Sequence, residues 1–331
     1  MSRLRNQKSR VRSQKKVARC KVQDVRFYSQ PETCNLKLFC SMFCVLFSLF
    51  CISIPSSAFS QDLSIKFVFT IEKFYQDHFN TPIGVFVDNE RKELYVADSG
   101  RSEVLIFDLK GSPVFKFGAL QGVANPFDLV VKNGLIYLVQ EGKSYIEVFN
   151  YRGEAVKRVA PPEGITFTPG RMAMDENGSL YVVNKARTTC MVFDSQDRFV
   201  GTIGTGITSL AGVAVSKDRV YLITPFGGRA IHVYDKEGNF IMAFEGLQDQ
   251  GGTLGLPTSI TIDKNGLLWL VDSLRGIVVY DPGGKEVARF SEYGKTKGQV
   301  FFPVDINFDK GDMVYIADKG AKRISVFKRE R

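Results

Sequence analysis

One short phrase recurs six times along this 331-residue chain and decides what it can fold into. Pro82-Ile-Gly-Val-Phe-Val-Asp opens the first copy, followed by Tyr95-Val-Ala-Asp and then by Val104-Leu-Ile-Phe-Asp. Its anchor returns at Pro126, Pro169, Leu210, Pro257 and Pro303, at steps of 44, 43, 41, 47 and 46 residues. A repeat of this length is one small unit that cannot bury its apolar faces alone and must stack against its neighbours. In the fifth copy the unit reads as four strands: Ser259–Asp263, Leu267–Val271, Ile277–Tyr280 and Glu286–Phe290. Lys264-Asn-Gly266 and Asp281-Pro-Gly-Gly284 supply the turns between them, with residues that tolerate a positive φ. No intervening segment carries a sustained 3.6-residue period, which excludes helical repeats.

Four-stranded units of this size, repeated radially, predict an all-β fold: a six-bladed β-propeller of four-stranded blades. The sixth copy runs only to its third strand, Ile324-Ser-Val-Phe327, before the sequence given ends. Its fourth strand is available in Ser64–Ile71, so an N-terminal strand is expected to complete the last blade and close the ring. Closure of this kind removes the exposed strand edges that invite aggregation. Residues 62–331 therefore read as one six-bladed domain.

The phrase Pro-x-Gly-Val-x-Val-Asp, then Leu-Tyr-Val-Ala-Asp, then Ile-x-Val-Phe, seen from Pro82 to Phe107 and again from Pro303 to Phe327, resembles the NHL repeat. Copies two and four are degenerate, with Lys132 and Ser216 replacing the first Asp and Gln140 and Thr224 the second. The resemblance implies a six-bladed ring used mainly for binding, with a minority of enzymes on similar scaffolds.

Charge and cysteine usage separate the ring from its leader. The formal net charge is +9, yet residues 1–60 hold eleven of the 44 Lys and Arg and only two of the 35 acidic residues, leaving 33 of each sign in the remainder. The ring has no overall attraction for polyanions, and no nucleic-acid partner is expected. Leu38–Ile54 is apolar, Pro55 follows, and Ala58 and Ser60 fit cleavage before Gln61. Residues 1–61 thus read as a basic leader holding a secretory signal peptide or an N-terminal membrane anchor. The expected location is outside the cytoplasm: periplasmic, secreted, or held at the membrane only by that segment. Five of the six cysteines lie in the leader, so Cys190 has no partner for a disulfide and reads as a buried structural thiol.

Function must lie where the copies differ, because what recurs in every blade is scaffold. The loops before each anchor and the loops between second and third strands share the end of the disc that surrounds the channel mouth, the default place for a ligand. The residues two places beyond the anchors are Gly84, Asp128, Arg171, Gly212, Ser259 and Asp305. Asp128, Arg171 and Asp305 are ligand-binding candidates there, or else an internal ion pair that plugs the channel. Arg101, Lys143, Arg187 and Arg275, with Arg229 and Lys322-Arg323, form a second candidate set, a cationic annulus suited to an acidic partner, or else solvated and structurally paired side chains, since Asp98, Glu103, Glu141, Asp272 and Asp318 are interspersed with them. Asp98, Asn184, Asp272 and Asp318 recur from blade to blade and read as turn-makers.

The main expectation is an exported, non-catalytic, monomeric ring that binds a protein or peptide through its channel-mouth loops. No catalytic residue, metal ligand or cofactor is assigned. The alternative is a divalent-cation-dependent hydrolase or lactonase-like enzyme at the channel mouth. Gluconolactonase-like propellers place Asp, Glu and Asn around a cation such as Ca²⁺, and Asp128, Asp305, Asn307 and Glu141 are the residues available for such a set. Two histidines, His78 and His232, are too few for a zinc site of the peptide-amidating lyase type.

Overall fold

The computed structural model describes residues 63–245, 252–290 and 292–330. The leader reading of residues 1–61 and residues 246–251 of the Gly-rich loop Glu245–Leu256 lie outside the described residues. Among those described, no helix is long and apolar enough to cross a membrane.

Six antiparallel sheets of four strands form the ring, as the repeat predicts. The innermost strand of each blade starts at or just beyond its anchor: Pro82–Asp88, Pro126–Lys132, Pro169–Met174, Gly212–Val215, Pro257–Ile262 and Pro303–Phe308. These six strands contact one another in sequence and then from blade six back to blade one, so the ring is closed. The sixth blade draws its outer strand from the other end of the domain: Ser64–Ile71 pairs with Arg323–Glu330, antiparallel.

Each junction between blades buries its own apolar cluster. Tyr95, Val104 and Phe117 of blade one pack with Leu129, Ile136 and Phe149 of blade two. Trp269 and Val279 of blade five pack with Ile306 and Phe327 of blade six. Val96 and Phe107 of blade one meet Tyr315 and Val326 of blade six across the closure. This is why the strands are apolar on both faces: each blade is sandwiched between two others, and burial there supplies about 25 cal/mol per Å² of apolar surface. Cys190 is fully buried in one of these clusters, where burial pushes its thiol up to about 12.

The recurring polar residues hold the mouth-end loops. Asp98 accepts from the backbone N–H groups of Asn80 and Thr81, at 2.8 Å each. Asp272 does the same for Gly255 and Leu256, and Asn184 for Thr168. In the degenerate second blade Gln140 takes over, accepting from Ala124 N–H. The turn-making role is thus met by whichever acceptor stands at this place.

Candidate functional site

The channel mouth is shaped by an irregularity in the inner strands. In blades one, two, three, five and six the pairing register shifts between the anchor and the residues that follow it. Such a bulge sets two residues of one strand against one of its partner and re-aims their side chains. Residues one and two places past the anchor therefore both reach the channel, at different depths. Blade four lacks the bulge, and its pairing begins directly at Gly212 with Ile223.

The deeper of these levels is a plug. Arg171 crosses the channel and donates through Nη1 to Asp128 Oδ1 at 2.9 Å, with Asp305 Oδ2 at 3.1 Å. Its Nη2 donates to the carbonyls of Ile83 and Val304 at 2.9 and 2.8 Å. One side chain of blade three thereby holds blades one, two and six. Both carboxylates also accept backbone N–H groups from the next blade, Asp128 from Met172 and Asp305 from Val85, and Ser259 Oγ donates to Asp305. The glycine of the same level in blade one lets the inner strands of blades one and two approach closely. At Gly84 an added Cβ would stand 3.0 Å from the carbonyl oxygen of Phe127.

All three charged groups are buried. Burial pushes the Asp128 carboxyl up to about 7; Arg171 opposes the shift and Asp305 adds to it. Burial also opposes the charge of Arg171, but Asp305 and Asp128 more than offset it and raise its pKa. Two carboxylates sharing one guanidinium in a dry channel favour retaining a proton between them. Asp128, Arg171 and Asp305 are thus brought together as the sequence suggested, in the arrangement of the internal plug. Below Arg171 the channel continues as a chamber of about 220 Å³, lined in part by Met172, Met174, Thr261 and Asn307.

Above Arg171 lies a cup of about 290 Å³. Its wall contains the residue immediately after every anchor: Ile83, Phe127, Gly170, Ala211, Thr258 and Val304. Large side chains stand in blades one, two and six and small ones in blades three, four and five, so the space is displaced toward the latter. Leu210, Phe226, Leu256 and Phe302 extend the apolar wall. Phe226 is 64 % exposed, on the loop of blade four that departs most from the repeat. Phe302 is held at φ 58, a left-handed conformation that costs a bulky residue about 1–3 kcal/mol.

Charge in the cup is of one sign. Lys185 and Lys319 line it with Arg171, and among the described residues no Asp or Glu does. Both lysines occupy the place just after the polar residue that closes the second strand, in blades three and six. Three steps apart in a ring of six, they approach the mouth from opposite sides. Neither forms an ion pair with a described residue; Lys185 Nζ rests 4.4 Å above the ring of Phe127. The guanidinium of Arg171 lies 5.0 Å from the same ring, and its buried Nε–H lacks a hydrogen-bond partner among the described residues.

The cationic annulus is not assembled as expected. Arg101 is held by Asp77 at 3.2 Å and Glu103 at 3.0 Å. Lys143 lies against the ring of Tyr145, Arg275 donates to the Thr253 carbonyl, and Arg323 is buried against Asp318. Arg187 is exposed. None of Arg101, Lys143, Arg187 and Arg275 lines the cup. Sequence reasoning missed Lys185 and Lys319 because it weighed the more regular basic position of these loops.

The residues considered for a divalent cation do not fit one. Asp128 and Asp305 already receive the guanidinium of Arg171, and Asn307 Oδ1 accepts from the Phe308 N–H at 2.9 Å. Glu141 is an exposed loop residue, and among the described residues no three His, Cys, Asp or Glu gather as a ligand set.

No family model matches the chain, and no curated protein does. Solved structures share its fold. A gluconolactonase from Xanthomonas campestris is 15 % identical with a TM-score of 0.63, covering 76 % of this chain and 87 % of that one. The virginiamycin B lyase of Staphylococcus aureus is 13 % identical with a TM-score of 0.55, over 81 % of this chain and 88 % of its own. A luciferin-regenerating enzyme is 14 % identical with a TM-score of 0.59, over 81 % and 95 %. At these identities the likeness is one of architecture: this is a six-bladed β-propeller of the kind found in the gluconolactonase and virginiamycin B lyase structures. The NHL assignment is finer than this likeness reaches. The expectation of a non-catalytic scaffold, and with it that of a protein without enzymatic activity, is corrected here. The solved rings it resembles are named as enzymes.

Proposed function

We propose that this protein is a hydrolase of the lactonase type, acting on a small lactone or ester in the cup at the channel mouth. The observation that carries the reading is an apolar cup lined by Lys185 and Lys319 with no carboxylate among the described residues to neutralise them. Water adding to an ester carbonyl places negative charge on the carbonyl oxygen. Loss of the ring C–O bond then gives a carboxylate and a hydroxyl, the departing oxygen taking one proton of the attacking water and the other passing to solvent. Fixed cations in a largely apolar setting stabilise that developing charge more than they would in water. Arg171 closes the floor and keeps bulk water from crossing the ring. Since the channel oxygens are committed to Arg171, no step is routed through a divalent cation.

The neighbouring enzymes support this reading by showing that the architecture hosts such chemistry, one of them a gluconolactonase by name. The repeat itself is assigned to the NHL type on the phrase from Pro82 to Phe107, and export is proposed on the apolar stretch Leu38–Ile54. N-terminal sequencing of the purified product tests the latter, with Gln61 as the expected first residue after cleavage.

The activity is tested by titrating acid release from a panel of lactones and esters with the purified full-length chain, with and without EDTA. Acid release above the spontaneous rate is expected from at least one substrate, undiminished by the chelator. A panel that yields nothing above the spontaneous rate overturns the lactonase reading. Activity abolished by EDTA and restored by a divalent cation overturns the assignment of the channel charge to Arg171 alone.

A further inference from the structure

We infer that the substrate of this cup has an apolar body, an aryl- or alkyl-substituted lactone opened to an apolar carboxylate, and is not a polyhydroxylated sugar lactone. The inference rests on the lactonase reading and adds the substrate class. A sugar lactone buries several hydroxyl groups, each of which must recover in the site the hydrogen bonds it loses from water. An unmade hydrogen bond costs about 1–3 kcal/mol. A site for such a molecule would therefore show a ring of Asn, Gln, Asp, Glu or hydroxyl side chains. This cup shows Ile83, Phe127, Leu210, Phe226, Phe302 and Val304 instead.

Its single uncharged polar side chain is Thr258, and that hydroxyl is already engaged, 3.4 Å from the Val271 carbonyl and 3.1 Å from Ser273 Oγ. The remaining polar groups are all cationic donors. They match a carboxylate or an oxyanion, and among the described lining side chains the oxygen of Thr258 is the one acceptor left for a polyol. The apolar body belongs on the side of blades three to five, where Gly170, Ala211 and Thr258 leave the space that Ile83, Phe127 and Val304 fill opposite. Phe226 stands over that side from the loop of blade four. At about 290 Å³ the cup is at the small end of ligand pockets, which suits a fused or singly substituted ring.

The test uses the full-length protein and two matched pairs of probes. Hydrolysis of dihydrocoumarin, an aromatic lactone, is compared with that of glucono-1,5-lactone, and calorimetry compares binding of their open acids, 3-(2-hydroxyphenyl)propionate and gluconate. The expected kcat/KM favours dihydrocoumarin by about a hundredfold or more, because a cup poor in side-chain acceptors penalises most of the hydroxyls. The aryl acid should bind and gluconate should not. Lys185→Met combined with Lys319→Met should weaken the aryl acid about tenfold, the loss of a charge-assisted contact, and leave the neutral 3-phenylpropan-1-ol unchanged.

Preference for gluconolactone would overturn the inference while leaving a lactonase. Intact dihydrocoumarin alongside selective binding of the aryl acid would retire the lactonase reading and uphold the ligand class. Binding of neither aryl compound, or equal binding of the acid by parent and double variant, overturns the inference. A thermal melt of the double variant matching the parent ensures that any loss is read at the cup.

Discussion

Arg171 and Lys185 stand fourteen residues apart on one blade, line the same cup and carry the same charge, yet their surroundings assign them opposite work. Arg171 is 4 % exposed, paired with two carboxylates and two carbonyls, and ties four blades together. Lys185 is exposed, rests on an aromatic ring and meets no carboxylate among the described residues. A charge whose partners are all internal is structure; a charge whose internal partners are missing is available to a ligand. The difference explains why counting basic residues around the mouth was a poor guide, and it can be broken by mutating each side in turn.

The largest effect is expected at the plug. Arg171→Ala leaves Asp128 and Asp305 buried without a counter-charge, and removing one member of such a cluster costs about 3–5 kcal/mol. Urea or guanidinium unfolding should show this as a lower midpoint with a similar slope, since the surface exposed on unfolding barely changes. A variant as stable as the parent would break the comparison, because Arg171 would then hold nothing that the ring needs. The partial remedy is informative as well. Adding Asp128→Asn and Asp305→Asn to Arg171→Ala removes the stranded charges and should recover part of the loss, though the cavity left by the arm keeps the triple variant below the parent.

A smaller effect follows from acidity. Asp128 is raised from an ordinary carboxyl value to about 7, chiefly by burial, so the folded protein retains a proton that the unfolded chain releases between about pH 4 and about pH 7. Unfolding in that window therefore releases a proton, and stability falls as pH rises through it, by at most about 1.4 kcal/mol per pH unit. Below pH 4 and above pH 7 this group contributes no slope. Asp128→Asn should flatten the profile across the window. A profile that keeps the parent's slope in Asp128→Asn would assign the proton elsewhere.

The same contrast sets what was legible in the sequence. The fold was almost entirely so: the period gave six blades, and the missing fourth strand of the last copy pointed to Ser64–Ile71 as its completion. The floor of the site was legible too, since Asp128, Arg171 and Asp305 break the pattern of their position. The cup was not, for a physical reason. Strand alternation sends neighbouring residues to opposite faces, so a reading that places Arg171 in the channel turns Gly170 away from it. The bulge after the anchors of blades one, two, three, five and six suspends that alternation and brings both inward. The signal was present in the small set Gly170, Ala211 and Thr258 beside the large set Ile83, Phe127 and Val304, but it has meaning only once the bulge is known. The annulus was legible in its paired form: Glu103 stands two residues from Arg101 and neutralises it, a pairing that sequence proximity already offered.

The smallest effect on stability is expected at the lysines, and its smallness is the point. Lys185→Met and Lys319→Met each remove a charge with no ion pair among the described residues, and surface substitutions of this kind shift stability by about 0.5 kcal/mol or less. The ring of Phe127 sharpens the expectation for Lys185. Its cation–π contact is worth about 0.5–1 kcal/mol at an exposed site, and the methionine that replaces it keeps an apolar contact with the same ring. Paired melts at low and high salt separate the two views. If the lysines are unpaired, both variants should track the parent at either ionic strength, because screening has no attraction to weaken. A destabilisation that appears at low salt and vanishes at high salt would reveal a carboxylate partner and move Lys185 to the structural side of the comparison with Arg171.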